Sequence, residues 1–279
     1  YSGRTENLIG PLLDEFTKQT GVPVSVRYGN SADLALLIEE EGDRSPADVF
    51  ISQSPGAVGF LAGQGRLSQI PKGTLGKVAD EYRNKGGLWV GMSGRVRVLA
   101  YDTNEVDAKA LPPSVFDLTG DDYRDKVALA PANGSFQDFV TGMRQEFGDD
   151  KTSEWLKGMA DNGAKSYANN VAIVEAVGRG EIPLGLVNHY YNVRAKAENP
   201  AVTSANYFFP NKDIGSLLIV TAVGITQSSS KAADANKLVT YLLSDSAQEF
   251  FSQETSEYPL VAGVKEPEGT PPLDSLNVD

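Results

Sequence analysis

The chain reads as an α/β protein in two lobes, on three observations. Strand-like segments alternate with helix-like segments from end to end, the pattern of a mostly parallel sheet covered by helices. The 279 residues, 41% of them hydrophobic, suffice for one large core or two smaller ones. Two strand-like stretches, 95–102 and 217–226, stand where a chain built as two α/β halves would cross between them. If the first leaves lobe one and the second returns, lobe one is discontinuous. Residues 1–98 and 222–264 then form lobe one, 99–221 lobe two, and the Pro-rich 265–279 a loose tail. Two crossing strands make a hinge, and a ligand is expected in the cleft at strand C-terminal ends.

The elements follow in order. Thr5 is placed to cap a helix carrying Leu8, Leu12, Leu13 and Phe16 on one side, stopped at Thr20-Gly21. VPVSVRY, 22–28, alternates with β-branched residues and predicts a strand. SADLALLIEEEG has a serine cap and a glycine stop, a second helix; ADVFIS, 47–52, is a short buried strand; Pro55 opens a helix that closes at Gly63 or Gly65. In the middle, 126–130 is a strand, 135–147 and 153–160 are helices, and 170–179 is a helix with Ile173, Val174 and Val177 on one face. The strand 182–187 leads into a helix over 190–197. The strand 217–226 and helices over 232–243 and 246–251 close the chain.

Composition removes several classes of function. With no cysteine there is no disulfide, thiolate metal site or cysteine nucleophile. A zinc site wants several His or Cys ligands, and His189 stands alone. No G-x-S-x-G elbow accompanies that histidine, so a serine hydrolase has no support and the chain is not read as an enzyme. The 25 basic and 37 acidic residues give a charge of −12, which repels nucleic acid and anionic membrane. No stretch approaches the roughly 20 apolar residues of a membrane span. No basic-then-apolar leader opens the chain, as expected of a mature or trimmed form.

Sites in such folds lie on loops after strands and at helix N-termini. Ser2-Gly3-Arg4-Thr5, Tyr28 to Ser31, Ser52-Gln53-Ser54, Asn133-Gly134-Ser135, Asn169-Asn170 and Asn188 to Tyr191 occupy those positions. Most are small, amide or hydroxyl residues ahead of a helix. Each alone is an ordinary cap; together they describe anion pockets, because free N–H groups point outward and the helix dipole favours negative charge. Arg4 adds a charged fork suited to carboxylate, carbonate or phosphate. Tyr190 and Tyr191 follow an apolar strand. Neighbours diverge on a strand and within a helix, so they converge on one point only in an irregular turn between the two. Either they pack into a core, or they aim two hard oxygens at one strongly Lewis-acidic ion, for which trivalent iron is the biological candidate.

YSGRTE, EEGDRSPADVF, GMSGRVRVLAYD, NGSF, YANNVAIVEAVGRGEIPLGLVNHYYN and EYPL, in order along nearly the whole chain, resemble the bacterial ferric-ion-binding proteins. These are substrate-binding components of iron ABC importers, also called bacterial transferrins. The resemblance implies a type II periplasmic-binding-protein fold with two hinge-crossing strands and iron bound by the pair matching Tyr190 and Tyr191. It implies a synergistic anion (carbonate, citrate or phosphate) held by groups matching Asn133, Gly134, Ser135, Asn170 and Asn188. It further implies closure of the lobes around the ion, delivery to an ABC importer permease, a monomer, and a periplasmic or extracellular place, with or without a lipid anchor.

The chain also departs from the family pattern. Where some members carry a His and a Glu from the first lobe, Thr5 and Gln53 stand here as possible first-lobe contacts. Where others carry a third tyrosine, Phe136 stands; Tyr1 and Tyr28 are possible replacements. As few as two protein ligands are then expected, with anion and water completing the shell and Arg4 anchoring the anion. The alternative on the same fold is a binding protein for a small organic or inorganic anion, without metal.

Overall fold

The computed structural model describes residues 1–276. The chain divides into two compact units, Tyr1–Gly94 with Val220–Glu268, and Arg95–Ile219 with the segment from Gly269 on.

In the first unit, α1 (Glu6–Thr20) buries Ile9, Leu12, Leu13 and Phe16, an i, i+3, i+4, i+7 stripe, and stops at Gly21, where φ is 71°. Thr5 holds the cap position without capping; its hydroxyl donates to Asn7 Oδ1. Helix α2 (Ser31–Glu41) is capped by Asn30 rather than by the expected Ser31: Asn30 Oδ1 accepts the Ala32 amide at 2.9 Å. Ser31 Oγ is otherwise engaged, accepting the Gln53 amide at 3.0 Å. There follow β1 (Val49–Ser52), α3 (Pro55–Gly63), β2 (Leu67–Ser68) and α4 (Lys72–Leu75). Leu34, Ile38, Phe50, Val58, Leu61 and Ala222 are central to this unit's core.

The expected strand over 22–28 is reduced to a single parallel bridge between Tyr28 and Ser2. Its alternation is genuine, since Val22, Val24 and Val26 are half-buried and Pro23, Ser25 and Arg27 exposed. A strand is defined by its neighbour, however, and among the described residues 22–27 has no ladder partner.

Strand β3 (Trp89–Asp102) begins in the first unit and ends in the second. The second unit continues with β4 (Val127–Leu129), α5 (Gly134–Asp161), β5 (Lys165–Ser166), α6 (Asn170–Gly178), β6 (Leu184–Asn188), α7 (His189–Glu198) and β7 (Ser204–Tyr207). Helix α5 is broken at Gly148, whose φ of 84° and ψ of 168° only glycine adopts readily, so the two helices expected there are two segments of one element. The sheet runs β3-β6-β4-β5. Leu99, Phe136, Phe139, Met143, Trp155, Leu184 and others pack on it.

The chain returns through β8 (Leu218–Thr226), then α8 (Ala232–Leu242), α9 (Asp245–Gln253) and β9 (Tyr258–Pro259). In the segment expected as a loose tail, Leu273–Ser275 form a 3-10 turn and Leu276 is buried; 277–279 lie outside the described residues.

The sheet is mixed rather than mostly parallel. Strand β4 is parallel to β5 and β6, whereas β3 runs antiparallel to β6 and β8 antiparallel to β1. Parallel pairing is imposed where a helical crossover joins neighbouring strands; a strand running from one unit into the other carries no such constraint. Among the described residues no helix is long and apolar enough to cross a membrane.

Candidate functional site

Strand β6 passes into α7 without a loop: Asn188 ends the strand in extended conformation and His189 begins the helix. The irregular turn expected between them is absent. Tyr190 and Tyr191 lie in the first helical turn, yet their ring centroids are 4.3 Å apart with planes 30° from parallel. The rings approach although neighbours in a helix diverge by about 100° around its axis. Tyr190 is buried and Tyr191 half-buried. Burial pushes the Tyr191 phenol well above its ordinary value, reinforced by Tyr190 and opposed by Arg95 and a hydrogen bond with Asn170. His189 is fully buried, and its Nδ1 accepts the Val96 amide at 3.1 Å, tying the helix start to β3.

Three helix starts share one polar cluster beside the tyrosines' β6–α7 junction. Asn133 caps α5 by accepting the Ser135 amide at 3.1 Å and the Ser135 hydroxyl at 2.6 Å. Asn170, first residue of α6, donates through Nδ2 to Asn133 Oδ1 and to Ser135 Oγ, both at 3.2 Å. Arg97 reaches in from β3: its Nη1 donates to Asn188 Oδ1 at 3.0 Å, Ser135 Oγ at 3.3 Å and Asn170 Oδ1 at 3.4 Å. The structure thus brings together Asn133, Ser135, Asn170 and Asn188, and a β-carbon on Gly134 would meet nothing within 4 Å.

Arg97 was not legible as a site residue. It is 1% exposed, and its Nε and Nη2 have no partner among the described residues. Burial lowers its pKa to about 10, opposed by Tyr191, Tyr190 and Asp138, so it stays charged at neutral pH. A buried cation with unused donors is costly unless an anion joins it. The available signal was Arg95 and Arg97, two residues apart in a strand and so on one face.

Arg4 does not have the role expected of it. Its side chain is 0% exposed, with Nη2 on Glu257 Oε1 at 2.6 Å and Nη1 on Glu257 Oε2 at 2.9 Å. Nη1 also donates to Thr221 Oγ1 at 3.1 Å, and Ser93 donates to Glu257 at 2.5 Å. Its fork is already filled by a carboxylate, which corrects Arg4 as the anion's anchor. Thr5 is exposed and Gln53 half-buried; both belong to the first unit, the tyrosines to the second. Tyr1 donates to Glu41 Oε1 at 2.9 Å, and Tyr28 is exposed. Among the described residues no cluster of three or more His, Cys, Asp or Glu could hold a metal.

The sequence model of a family described as bacterial extracellular solute-binding protein matches residues 44–275. The major ferric iron-binding protein of Neisseria meningitidis is 33% identical over 269 residues, covering 93% of this chain and 80% of that one. Iron-bound HitA from Pseudomonas aeruginosa superposes with a TM-score of 0.93 at 31% identity, covering 99% of this chain and 90% of that one. A Trichodesmium protein, IdiA or FutA, in complex with iron and citrate gives 0.87 at 31% identity, covering 100% and 92%. The fold is therefore the two-lobe, type II periplasmic-binding-protein fold, and the chain belongs to the bacterial extracellular solute-binding proteins, in the family of the periplasmic ferric-ion-binding proteins.

Proposed function

We propose that the chain is an extracytoplasmic, non-catalytic carrier that captures Fe(III) through the phenolates of Tyr190 and Tyr191 together with a bound anion, and passes it to an ABC importer permease. The observation that carries this reading is the close tyrosine pair next to a buried Arg97 with two unused nitrogen donors. Phenolates are hard, anionic donors matched to a trivalent ion. The anion (carbonate, citrate or phosphate) would be held by Arg97 and by the starts of α5 and α6, through Asn133, Gly134, Ser135, Asn170 and Asn188. Neither Thr5 nor Gln53 offers an anionic oxygen, so anion and water fill the remaining coordination positions. The carrier acts as a monomer in the periplasm or at the cell surface.

Two consequences follow from the chemistry. Burial disfavours the charged Tyr191 phenol, so binding must expel protons from the pair, and acid must release the ion. With few protein ligands, affinity for iron depends strongly on the anion.

The test is a visible-absorption titration of apo-protein with ferric citrate, and with ferric ion plus bicarbonate, repeated at falling pH. The expected result is a phenolate-to-iron charge-transfer band that fades with acid, shifts in Tyr190→Phe and Tyr191→Phe, and is lost in the double variant. No band with any anion sinks the iron reading. Anion binding without colour would favour a carrier for the anion alone, which the free donors of Arg97 also support.

A further inference from the structure

Asn188 stands at the N-cap of α7 but makes no side-chain cap, and its Oδ1 accepts from Arg97 instead. Other groups must therefore fix where this helix begins, and with it the direction of Tyr190 and Tyr191. Strand β6 pairs with β3 as far as Asn188, opposite Arg97. The Arg97 amide donates to Leu217 O at 3.0 Å, on the side away from β6. Successive amides along a strand alternate in direction, so the Val96 amide faces β6. Had β6 run one residue further, the His189 carbonyl would accept that amide. The backbone of His189 is already helical, and its imidazole takes the carbonyl's place: Nδ1 accepts the Val96 amide at 3.1 Å. The last rung of the ladder is a side chain.

The carbonyl so released is also held. Asn206 of β7 donates through Nδ2 to His189 O at 2.8 Å. Asn192 Nδ2 donates to Asn206 Oδ1 at 2.6 Å, and Ser204 Oγ donates to Asn192 Oδ1 at 2.5 Å. The start of α7 is thus gripped from β3 and from β7, all within the second unit. The buried His189 ring also meets the Tyr190 ring edge to face, with centroids 5.9 Å apart and planes 88° apart.

We propose, resting on the iron reading above, that His189 is a positioning residue for iron capture. It acts through the Val96 amide rather than by touching the ion. Its imidazole sets the switch from strand to helix that aims Tyr190 and Tyr191, and it ties them to Arg97. Val96 is the neighbour of Arg97 on β3, so one hydrogen bond joins the backbone that carries the anion's guanidinium to the backbone that carries the phenols. Removing the acceptor leaves a buried amide unpaired and frees both backbones to shift.

The experiment compares iron-saturated wild type with His189→Asn, His189→Leu and Asn206→Ala, by visible absorption, iron titration in bicarbonate and thermal melting. Asparagine places Oδ1 as many bonds from the backbone as Nδ1, so it keeps the acceptor while emptying part of the ring's space. Leucine fills that space and has no acceptor. The expected result is a wild-type charge-transfer band in His189→Asn and a shifted band in His189→Leu and Asn206→Ala. Iron affinity should fall by about tenfold or more in those two. This pattern is opposite to that of packing alone, since asparagine leaves the larger cavity. A lower Tm with band and affinity unchanged in all three variants overturns the proposal, because His189 then only supports the fold. Equal changes in His189→Asn and His189→Leu overturn it too, because the acceptor then has no part. Should His189→Leu not fold, Asn206→Ala decides by the same two readouts: a shift supports the proposal and none overturns it. Absence of the band from wild type is a separate failure, that of the iron reading, and takes this proposal with it.

Discussion

Arg97 shows how much of this site hangs on single side chains. It is a rigid, planar cation buried in a strand, and one of its nitrogens orients Ser135, Asn170 and Asn188 together. Its Nε and Nη2 remain for a ligand, a geometry that matches two oxygens of one anion. Arg97→Lys keeps the charge and loses the fork. Each charge-assisted hydrogen bond contributes about 1.5–3 kcal/mol, so losing one should weaken the anion's enhancement of iron binding by roughly 10- to 150-fold. Affinity for iron without added anion should change far less. The check is a pair of titrations, with and without bicarbonate, on wild type and variant; equal losses in both would mean that Arg97 merely supports the fold.

At the scale of elements, the close seating of α6 on β6 sets where Asn170 sits. A β-carbon on Gly185 would overlap Ile173 Cγ2 and approach Ala128 Cβ to 3.3 Å. Gly185→Ala should therefore push α6 outward at a cost of about 1–3 kcal/mol. Thermal melting and anion titration of the same sample check this: both Tm and affinity should fall, and a lower Tm with unchanged affinity would uncouple α6 from the site. These helices and strands were legible because their period and stops are local. The apolar stripe of α1, the Gly21 stop and the Gly148 break are all written within a turn or two. The strand over 22–28 was misread because pairing is not local. The Tyr190–Tyr191 pair was legible as neighbours, but the irregular turn expected to bring them together is absent, because the strand passes directly into the helix. Arg4 and Arg97 look alike in sequence. What separates them is Glu257, which is 253 positions from Arg4 and fills only that fork.

At the scale of the molecule, charge should govern how the cargo arrives. The net charge is −12, and a ferric citrate complex is also anionic, so at long range the two repel. The local field is opposite in sign: Arg95, Arg97 and three helix starts face the tyrosine pair's surroundings. Ionic strength separates these contributions by distance. At about 0.01 M salt the screening length is roughly 30 Å, and a ligand feels the whole protein; at about 0.15 M it is roughly 8 Å, and only the site is felt. Raising salt between those limits should therefore speed capture of ferric citrate, the reverse of an oppositely charged pair. Stopped-flow absorbance at the charge-transfer band expected of phenolate-bound iron measures this. A rate that falls with salt would mean that the cationic site outweighs the acidic surface even at a distance. A rate that rises at first and then levels off would place the repulsion on the outer surface and the attraction within the last few ångströms.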